Sequence, residues 1–182
     1  TMANSIRCGF NNGIGIAIHD VNDGNTELES LQLTGNLYAG LLLGGSTRGL
    51  KLLAAIESGA VGLKCQGEGV AGNVVDVTVR GCSGHGAAIE GVRSNRFRIR
   101  TADCGGNGVL ARSTGTNVFD IDAEGNAGDG MRLERGRNDR ISGRFRRNQS
   151  GVVLADGSRN NTLHDLRSNA NRADGVRLTG AE

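Results

Sequence analysis

The stretch that decides the fold is GNAGDGMRLERG, residues 125–136, in which a tight turn leads to a glycine followed by apolar residues at alternate positions. The same order returns three more times in the C-terminal half of the chain. These copies are GGNGVLARSTG (105–115), NQSGVVLADG (148–157) and NRADGVRLTG (171–180). Self-similarity at a fixed period is the sequence signature of a solenoid, in which each unit buries its apolar face against the next.

Each unit contains one anchor glycine directly before the alternating apolar positions. The anchors are Gly15, Gly40, Gly62, Gly86, Gly108, Gly130, Gly151 and Gly175. They lie 21 to 25 residues apart, and the residues one and three positions after each of them are apolar. The residue two positions after varies freely up to Lys and Arg. This alternation predicts a short strand with one buried face in every unit.

A second strand precedes the anchor in each unit, and it is clearest in Val75/Val77/Val79, Phe97/Ile99 and Phe119/Ile121. The units ending at Gly151 and Gly175 slip by about one residue there, which predicts small bulges. Two or three short strands per unit predict an all-β fold, a single right-handed parallel β-helix of about eight coils of 21–25 residues over residues 1–182. A leucine-rich repeat shares the period, but its L-x-x-L-x-L-x-x-N/C-x-L frame is not kept.

Composition limits the core and the partners. The chain has 182 residues with 3% aromatic residues, 31 Gly and no Trp or Pro, so we expect a core of small aliphatic side chains in many thin layers. The net charge is +2, and no block of Lys and Arg is long enough to form an electrostatic footprint. We therefore expect neither nucleic acid nor a membrane as partner.

A column of small polar or thiol residues lies four positions before the anchors, at Asn36, Cys82, Cys104 and Asn126, with Asn148 one place off. Stacked on successive coils, such side chains satisfy backbone groups as a ladder. Cys82 and Cys104 then lie on adjacent coils at a separation that a disulfide can span. Inward-facing free thiols that act as small apolar side chains are the favoured interpretation.

These coils, above all TNVFDIDAEGNAGDGMRLERG (116–136) and SRNNTLHDLRSNANRADGVRLTG (158–180), resemble the repeats of the pectate-lyase-like parallel β-helix superfamily. The nearest style is that of mannuronan C5-epimerases, related carbohydrate-binding β-helix domains and phage tailspikes. The resemblance implies work on polysaccharides, often acidic ones, in an extracellular, periplasmic or virion-surface location. It places the binding groove over the strand that follows each anchor glycine.

The chain departs from the catalytic patterns of these families. The D-P-H-type motif of the epimerases is absent because there is no Pro, and the clustered Asp residues that hold calcium in pectate lyases are missing. The segment HDVNDGN (19–25) matches a calcium loop only loosely. We therefore expect no cofactor and no metal site, with calcium as an alternative that no clear motif supports. Whether the chain is an enzyme stays open; if it is one, we expect a polysaccharide lyase or a C5-epimerase.

The outer side of the strands after the anchors carries a charged strip formed by Lys64, Glu90, Arg112, Arg132 and Glu134. We predict that these side chains point outward and bind an acidic polysaccharide, since Arg grips carboxylates bidentately and Glu orients hydroxyls. The alternative is a solvated ladder of paired charges. The alternation Asp76–Arg98–Asp120 on the upstream strands favours that alternative, because it shows that charge alternation is partly a general stacking device.

Three residues near the strip are candidates for proton transfer. Tyr38 is the only tyrosine and lies two residues before an anchor, whereas His85 lies one residue before the anchor two coils further on. With Lys64 they can supply an acid, a base and a neutraliser of carboxylate charge. The alternative is a turn tyrosine packed on its neighbours and a histidine selected for its turn conformation.

Two functions therefore stay open, a polysaccharide-active or polysaccharide-binding β-helix and a structural spike or scaffold segment. Solenoids need caps, because an open coil exposes unpaired strand edges. Both ends of this sequence read as coil, at NSIRCGF (4–10) and GVRLTGAE (175–182). We therefore expect a segment of a longer solenoid or a protomer capped by partners, end to end or in a homo-oligomer.

Overall fold

The structure, a computed structural model, describes residues 6–22, 24 and 26–181, and in these ranges it consists of strands and turns. No helix in these ranges is long and apolar enough to cross a membrane. The strands in chain order are β1 (Ile6–Gly9), β2 (Ile14–His19), β3 (Glu27–Gly44), β4 (Lys51–Gln66), β5 (Val74–Arg80), β6 (Ala87–Glu90), β7 (Arg96–Ala102), β8 (Val109–Arg112), β9 (Val118–Glu124), β10 (Met131–Glu134), β11 (Arg140–Arg146), β12 (Val152–Ala155), β13 (Thr162–Asn169) and β14 (Val176–Thr179).

All of these strands pair in parallel, and they form two neighbouring faces of a solenoid. The long-strand face contains β1, β5, β7, β9, β11 and β13, and the short-strand face contains β2, β6, β8, β10, β12 and β14. Strands β3 and β4 run around the corner and belong to both faces. Isolated bridges form a third side. The short-strand face has eight layers, which confirms the predicted parallel β-helix of about eight coils.

The predicted inward positions form the core. Val109, Ile121 and Leu133 are buried, with Leu133 at 0% exposure, and each lies in register with a buried residue of the neighbouring coil. Through the regular coils the register advances by 22 residues, as in Arg93 with Gly115 and Gly115 with Arg137. Because side chains alternate between the two sides of a strand, this constant offset keeps every apolar residue on the inside.

The geometry of the stack explains the anchor glycines. A Cβ atom added to Gly86 would lie 2.7 Å from the carbonyl oxygen of Gly108, and one added to Gly130 would lie 2.7 Å from that of Gly151. Real Cβ atoms essentially never come so close to a backbone atom. The seven anchors from Gly15 to Gly151 are therefore glycine because the next coil lies directly against them, whereas a Cβ at Gly175 would meet only the side chain of Ser168.

The expectation of a purely aliphatic core is wrong. Three of the four phenylalanines, Phe97, Phe119 and Phe145, are fully buried. The rings of Phe97 and Phe119 stack with centroids 5.3 Å apart and planes 10° from parallel. A thin solenoid can hold aromatic rings because the same position recurs one strand spacing away, so a ring packs on its counterpart rather than on a wide core.

The predicted ladder of Asn and Cys is confirmed. The side-chain Oδ1 of Asn126 accepts the backbone N–H of Cys104 at 3.1 Å, and that of Asn148 accepts the N–H of Asn126 at 3.1 Å. The Nδ2 of Asn148 donates back to the carbonyl of Ala123 at 3.0 Å. Cys82 and Cys104 are buried free thiols, as the favoured interpretation expects.

Of the two predicted bulges, one is confirmed. In the unit ending at Gly175 the register of β11 with β13 shifts between Ile141 and Gly143. In the unit ending at Gly151 the prediction is wrong, because β9 and β11 stay in register throughout. The missing residue of that unit falls in the turn, after Asn148.

A second ladder was not predicted. It runs through Asn73, Asn95, Asn117, Asp139 and Asn161. Each member after Asn73 accepts the backbone N–H of the member before it, and all but the last are fully buried. Asp139 interrupts the run of amides. Its Oδ2 accepts a hydrogen bond from the hydroxyl of Thr114 at 2.7 Å. An Asn at this position would need a carbonyl group to accept its Nδ2 proton. The carboxylate of Asp139 needs a donor instead, and the Thr114 hydroxyl supplies it.

We expect Asp139→Asn to make the protein more stable than the parent at pH 8, by about 1 kcal/mol, the scale of one hydrogen bond. Burial raises the pKa of Asp139 above its ordinary value, despite the hydrogen bonds from Thr114 and Asn117 that oppose the shift. A raised folded-state pKa means that this carboxyl costs stability above that pKa and that the cost disappears as pH falls toward the unfolded value.

Urea unfolding of both proteins between pH 8 and pH 4 checks this expectation. The stability difference between variant and parent should shrink as the pH falls. A difference that grows on acidification would contradict the assignment of a raised pKa to Asp139.

Candidate functional site

The charged strip lies on the outer side of the short-strand face, on β4, β6, β8 and β10. In register, Lys64 is followed by Ala88, Leu110 and Arg132 on successive coils. The neighbouring column begins with Gln66 and continues with Glu90, Arg112 and Glu134. The five predicted binding residues therefore occupy two adjacent columns on four consecutive coils.

A small depression of about 40 Å³ lies between these columns. Ala88 and Leu110 contribute apolar lining, and Lys64, Glu90 and Arg112 contribute charged groups. An apolar surface with a few convergent polar groups is the usual character of a ligand site. The depression is about the size of one water molecule, so only part of a ligand can sit in it.

Glu134 occupies the centre of an ion-pair network. Its carboxylate accepts a hydrogen bond from Nε of Arg112 at 2.6 Å and another from Nε of Arg132 at 2.7 Å. Arg132 also lies 3.6 Å from the carboxylate of Asp129. Burial raises the pKa of Glu134, but the hydrogen bonds and charges of the two arginines outweigh it, so the pKa lies below its ordinary value.

This network corrects the predicted exposure of the strip. Arg112 is exposed and Arg132 is half-buried, but Glu134 is only 9% exposed because the two guanidinium groups close over it. Glu134 therefore holds the arginines in place and is not free to meet a ligand. Arg112 uses Nε for this pair, and its two terminal nitrogens have no hydrogen-bond partner among the described residues.

The structure brings Tyr38 and Lys64 together. The ammonium group of Lys64 donates a hydrogen bond to the Tyr38 hydroxyl at 2.7 Å and lies 4.9 Å from the centroid of its ring. The register of β3 with β4 shifts between Asn36 and Ala39, so Leu37 and Tyr38 face a single residue of β4 and are both exposed. The bulge therefore turns Tyr38 outward at the rim of the strip.

His85 is held by the backbone of the next coil. Its Nδ1 accepts the N–H of Asn107 at 3.0 Å, so the proton of the neutral ring lies on Nε2. Asn107 in turn accepts the N–H of Asp129 at 2.8 Å through its Oδ1, which extends the pattern to a third ladder. Burial lowers the pKa of His85, the charge of Arg112 lowers it further, and Glu134 opposes both. His85 is thus a neutral turn residue whose accepting nitrogen is already in use.

Glu90 has no ion pair or side-chain hydrogen bond to any residue that the structure describes, and it lies exposed beside the depression.

The contact that the sequence analysis missed is the one between Arg132 and Asp129, three residues apart in the turn before β10. Opposite charges three residues apart next to an anchor glycine are a sequence signal that could have revealed this contact.

Among the described ranges there is no group of three or more His, Cys, Asp or Glu that could hold a metal ion. Asp23 and Asn25 of the segment 19–25 lie outside those ranges.

On the long-strand face, residues of opposite charge alternate from coil to coil and form ion pairs. Arg98 lies 3.3 Å from the carboxylate of Asp120 and 4.0 Å from that of Asp76. Arg100 lies 2.9 Å from Asp76. All of these side chains are at least partly exposed, so each pair contributes well under about 1 kcal/mol. Alternating charge is therefore a stacking device on that face, as the sequence indicates.

Comparison with known proteins gives one match. A family model described as a right-handed beta helix region matches residues 54–182, which include β5 to β14 and the whole charged strip. No curated protein and no solved structure matches the chain.

Proposed function

Since the chain belongs to the right-handed β-helix family, we propose that it is a polysaccharide-binding β-helix that holds an acidic polysaccharide on the charged strip. Family membership defines the scaffold, and the function of a scaffold is decided by its site. The observation that carries the proposal is the depression between Lys64 and Arg112, where apolar surface from Ala88 and Leu110 adjoins two cations.

The arrangement of the cations supports an acidic polymer. Lys64 and Arg112 lie two coils apart along the solenoid axis, or about 10 Å at the ordinary strand spacing. A polyuronate carries a carboxylate on every sugar, so a chain that lies along the axis presents carboxylates to both cations. The pair with Glu134 holds Arg112 through Nε and leaves its terminal nitrogens without a partner among the described residues, so less side-chain freedom is lost when a carboxylate binds. Glu90 and Gln66 supply groups for sugar hydroxyls.

One observation favours chemistry at the same site. The hydrogen bond from Lys64 to the Tyr38 hydroxyl brings an ammonium group and a phenol together beside the depression, and both are side chains that can take part in proton transfer. The second candidate function is therefore proton abstraction from a bound uronate, as in a polysaccharide lyase or C5-epimerase. His85 takes no part in this version, because its accepting nitrogen binds the backbone.

We expect the parent protein to bind alginate or polygalacturonate more tightly than neutral dextran, with an affinity that falls as salt rises. The variant Arg112→Ala combined with Glu134→Gln and Lys64→Ala should lose at least about tenfold in affinity and become less sensitive to salt. Glu134→Gln is included because removing an arginine alone would leave a buried carboxylate short of a partner. Isothermal titration calorimetry at two salt concentrations measures both effects.

The control removes a matched ion pair from the long-strand face, Arg98→Ala with Asp120→Asn, and should leave the affinity within twofold. Equal losses in both variants would contradict the assignment of binding to the strip. If the parent converts the polymer, Tyr38→Phe should lower turnover more than affinity. A parent without affinity for any acidic polymer would favour the other function, a non-catalytic spike or scaffold segment.

A further inference from the structure

The long-strand face contains a groove of about 750 Å³ near its C-terminal end, across β9, β11 and β13. Gly143, with φ of 133°, lies at its centre, where the register of β11 with β13 shifts. A Cβ at this position would collide with the backbone of Ile121, so glycine is required there. At this bulge His164 and Asp165 of β13 face the single residue Ser142 of β11, which interrupts the regular pairing beside the groove.

The alternation of charge breaks down in this groove. In register along the long-strand face, Arg100 is followed by Asp122, then by Arg144, and then by Arg167. Opposite signs face one another at every step except the last, where two arginines are directly opposed on adjacent strands. Like charges in that position are destabilising unless something lies between them.

Asp122 lies opposite Arg144 in register, but its carboxylate pairs with Arg146 at 3.9 Å. Neither Arg144 nor Arg167 forms an ion pair or a side-chain hydrogen bond with any residue in the described ranges, and both are exposed. The adjacent Arg146, by contrast, binds Glu124 at 3.0 Å. Of the two acids lining the groove, Asp120 lies 3.3 Å from Arg98, and Asp165 is 92% exposed and contacts only His164 at 3.2 Å.

We propose that this groove binds a phosphorylated small molecule, with the phosphate group held between Arg144 and Arg167. Guanidinium groups match the geometry of phosphate bidentately, and a phosphate monoester carries about −1.5 to −2 charges at neutral pH. Such a group neutralises both arginines, whereas one carboxylate would leave a net positive charge. Ser142 and His164 lie in the same lining, but the Ser142 hydroxyl donates to the carbonyl of Phe119 and Nδ1 of His164 contacts Asp165, so the two arginines supply the donors.

The size of the groove indicates more than a free ion. A volume of about 750 Å³ lies within the ordinary range of small-molecule sites, far beyond the volume of one phosphate. Leu166 and Val118 supply apolar surface for the body of the ligand, and Arg96 provides a third cation at the far end. This site lies on a different face from the charged strip and does not depend on the function proposed for it.

Calorimetric titration with glucose 6-phosphate, inorganic phosphate, glucose and acetate tests the proposal. We expect glucose 6-phosphate to bind more tightly than inorganic phosphate, and glucose and acetate to bind at least tenfold more weakly than either. Arg144→Ala and Arg167→Ala should each weaken glucose 6-phosphate binding at least tenfold. Arg100→Ala, which removes a paired arginine from the same column, should leave it within twofold.

A measurement on the ligand-free protein does not depend on which phosphate compound is selected. Because the two arginines repel each other in the empty groove, Arg167→Ser should raise the melting temperature at low salt, and added salt should reduce that gain. The proposal is overturned if no phosphate compound binds the parent, if acetate binds as tightly as phosphate, or if Arg100→Ala weakens binding as much as the groove variants do. Tight binding of inorganic phosphate but not of glucose 6-phosphate would likewise overturn the assignment of a phosphorylated small molecule.

Discussion

Replacing Leu133 with aspartate should cost more than about 4 kcal/mol of folding free energy and leave the protein largely unfolded at room temperature. Leu133 is 0% exposed and lies in register between Ala111 and Leu154, both buried. A carboxylate there would be surrounded by apolar atoms of three successive coils, and no Lys or Arg is buried among the residues that the structure describes. Urea unfolding followed by circular dichroism measures the loss.

The control for this variant is Thr78→Asp. Thr78 points outward from the long-strand face and lies opposite Arg100, so a carboxylate there is hydrated and lies near a cation. We expect its effect to stay within about 0.5 kcal/mol. A Leu133→Asp protein that unfolds at the same urea concentration as Thr78→Asp would show that the assigned inside and outside of the short strands are reversed.

Gly108→Ala should destabilise the protein by about 3 kcal/mol or more, a large effect for one methyl group. The added Cβ would lie 2.6 Å from the carbonyl oxygen of Gly130 and 2.5 Å from the hydroxyl oxygen of Thr101. The carbonyl belongs to the backbone of the next coil, which the parallel hydrogen bonds hold in place, so it cannot move aside cheaply. Chemical unfolding and the melting temperature both report this loss.

Gly13→Ala is the matched control, because a Cβ at Gly13 would meet no atom within 4 Å and its backbone is not in the left-handed region. It should leave stability within about 0.5 kcal/mol. Equal effects at Gly13 and Gly108 would mean that the anchors are glycine for a reason other than close contact between coils.

The fold was predictable because the pattern that encodes it is local and repeated. Apolar residues one and three positions after each anchor identify the short strands, and the constant interval predicts parallel stacking in register. The ladder through Cys104 and Asn126 was predictable for the same reason. What a single unit does not reveal is the fit between coils, which explains why the stack of Phe97 on Phe119 was missed.

The site was harder to predict, because the roles of charged side chains depend on their neighbours across coils. Sequence placed Glu134 outside but could not show that Arg112 and Arg132 would meet over it. It identified His85 as a rare residue without showing that the backbone of Asn107 occupies its Nδ1. The contact between Tyr38 and Lys64 depends on a bulge in β3 that has no clear sequence signal.

The constant register of the regular coils has a consequence for how such a molecule changes over generations. The contacts between successive coils join residues 22 apart, from the bridge of Arg93 with Gly115 to the hydrogen bond of Asn95 with Asn117. A tandem duplication of the gene segment for one whole coil restores all of these contacts, since the new coil presents the same surfaces above and below. An insertion of one residue inside a strand instead moves the inward side chains that follow it to the outside, and the outward side chains to the inside. The length of the solenoid can therefore evolve in steps of entire coils, while the alternation of inward and outward residues within each coil has to stay the same.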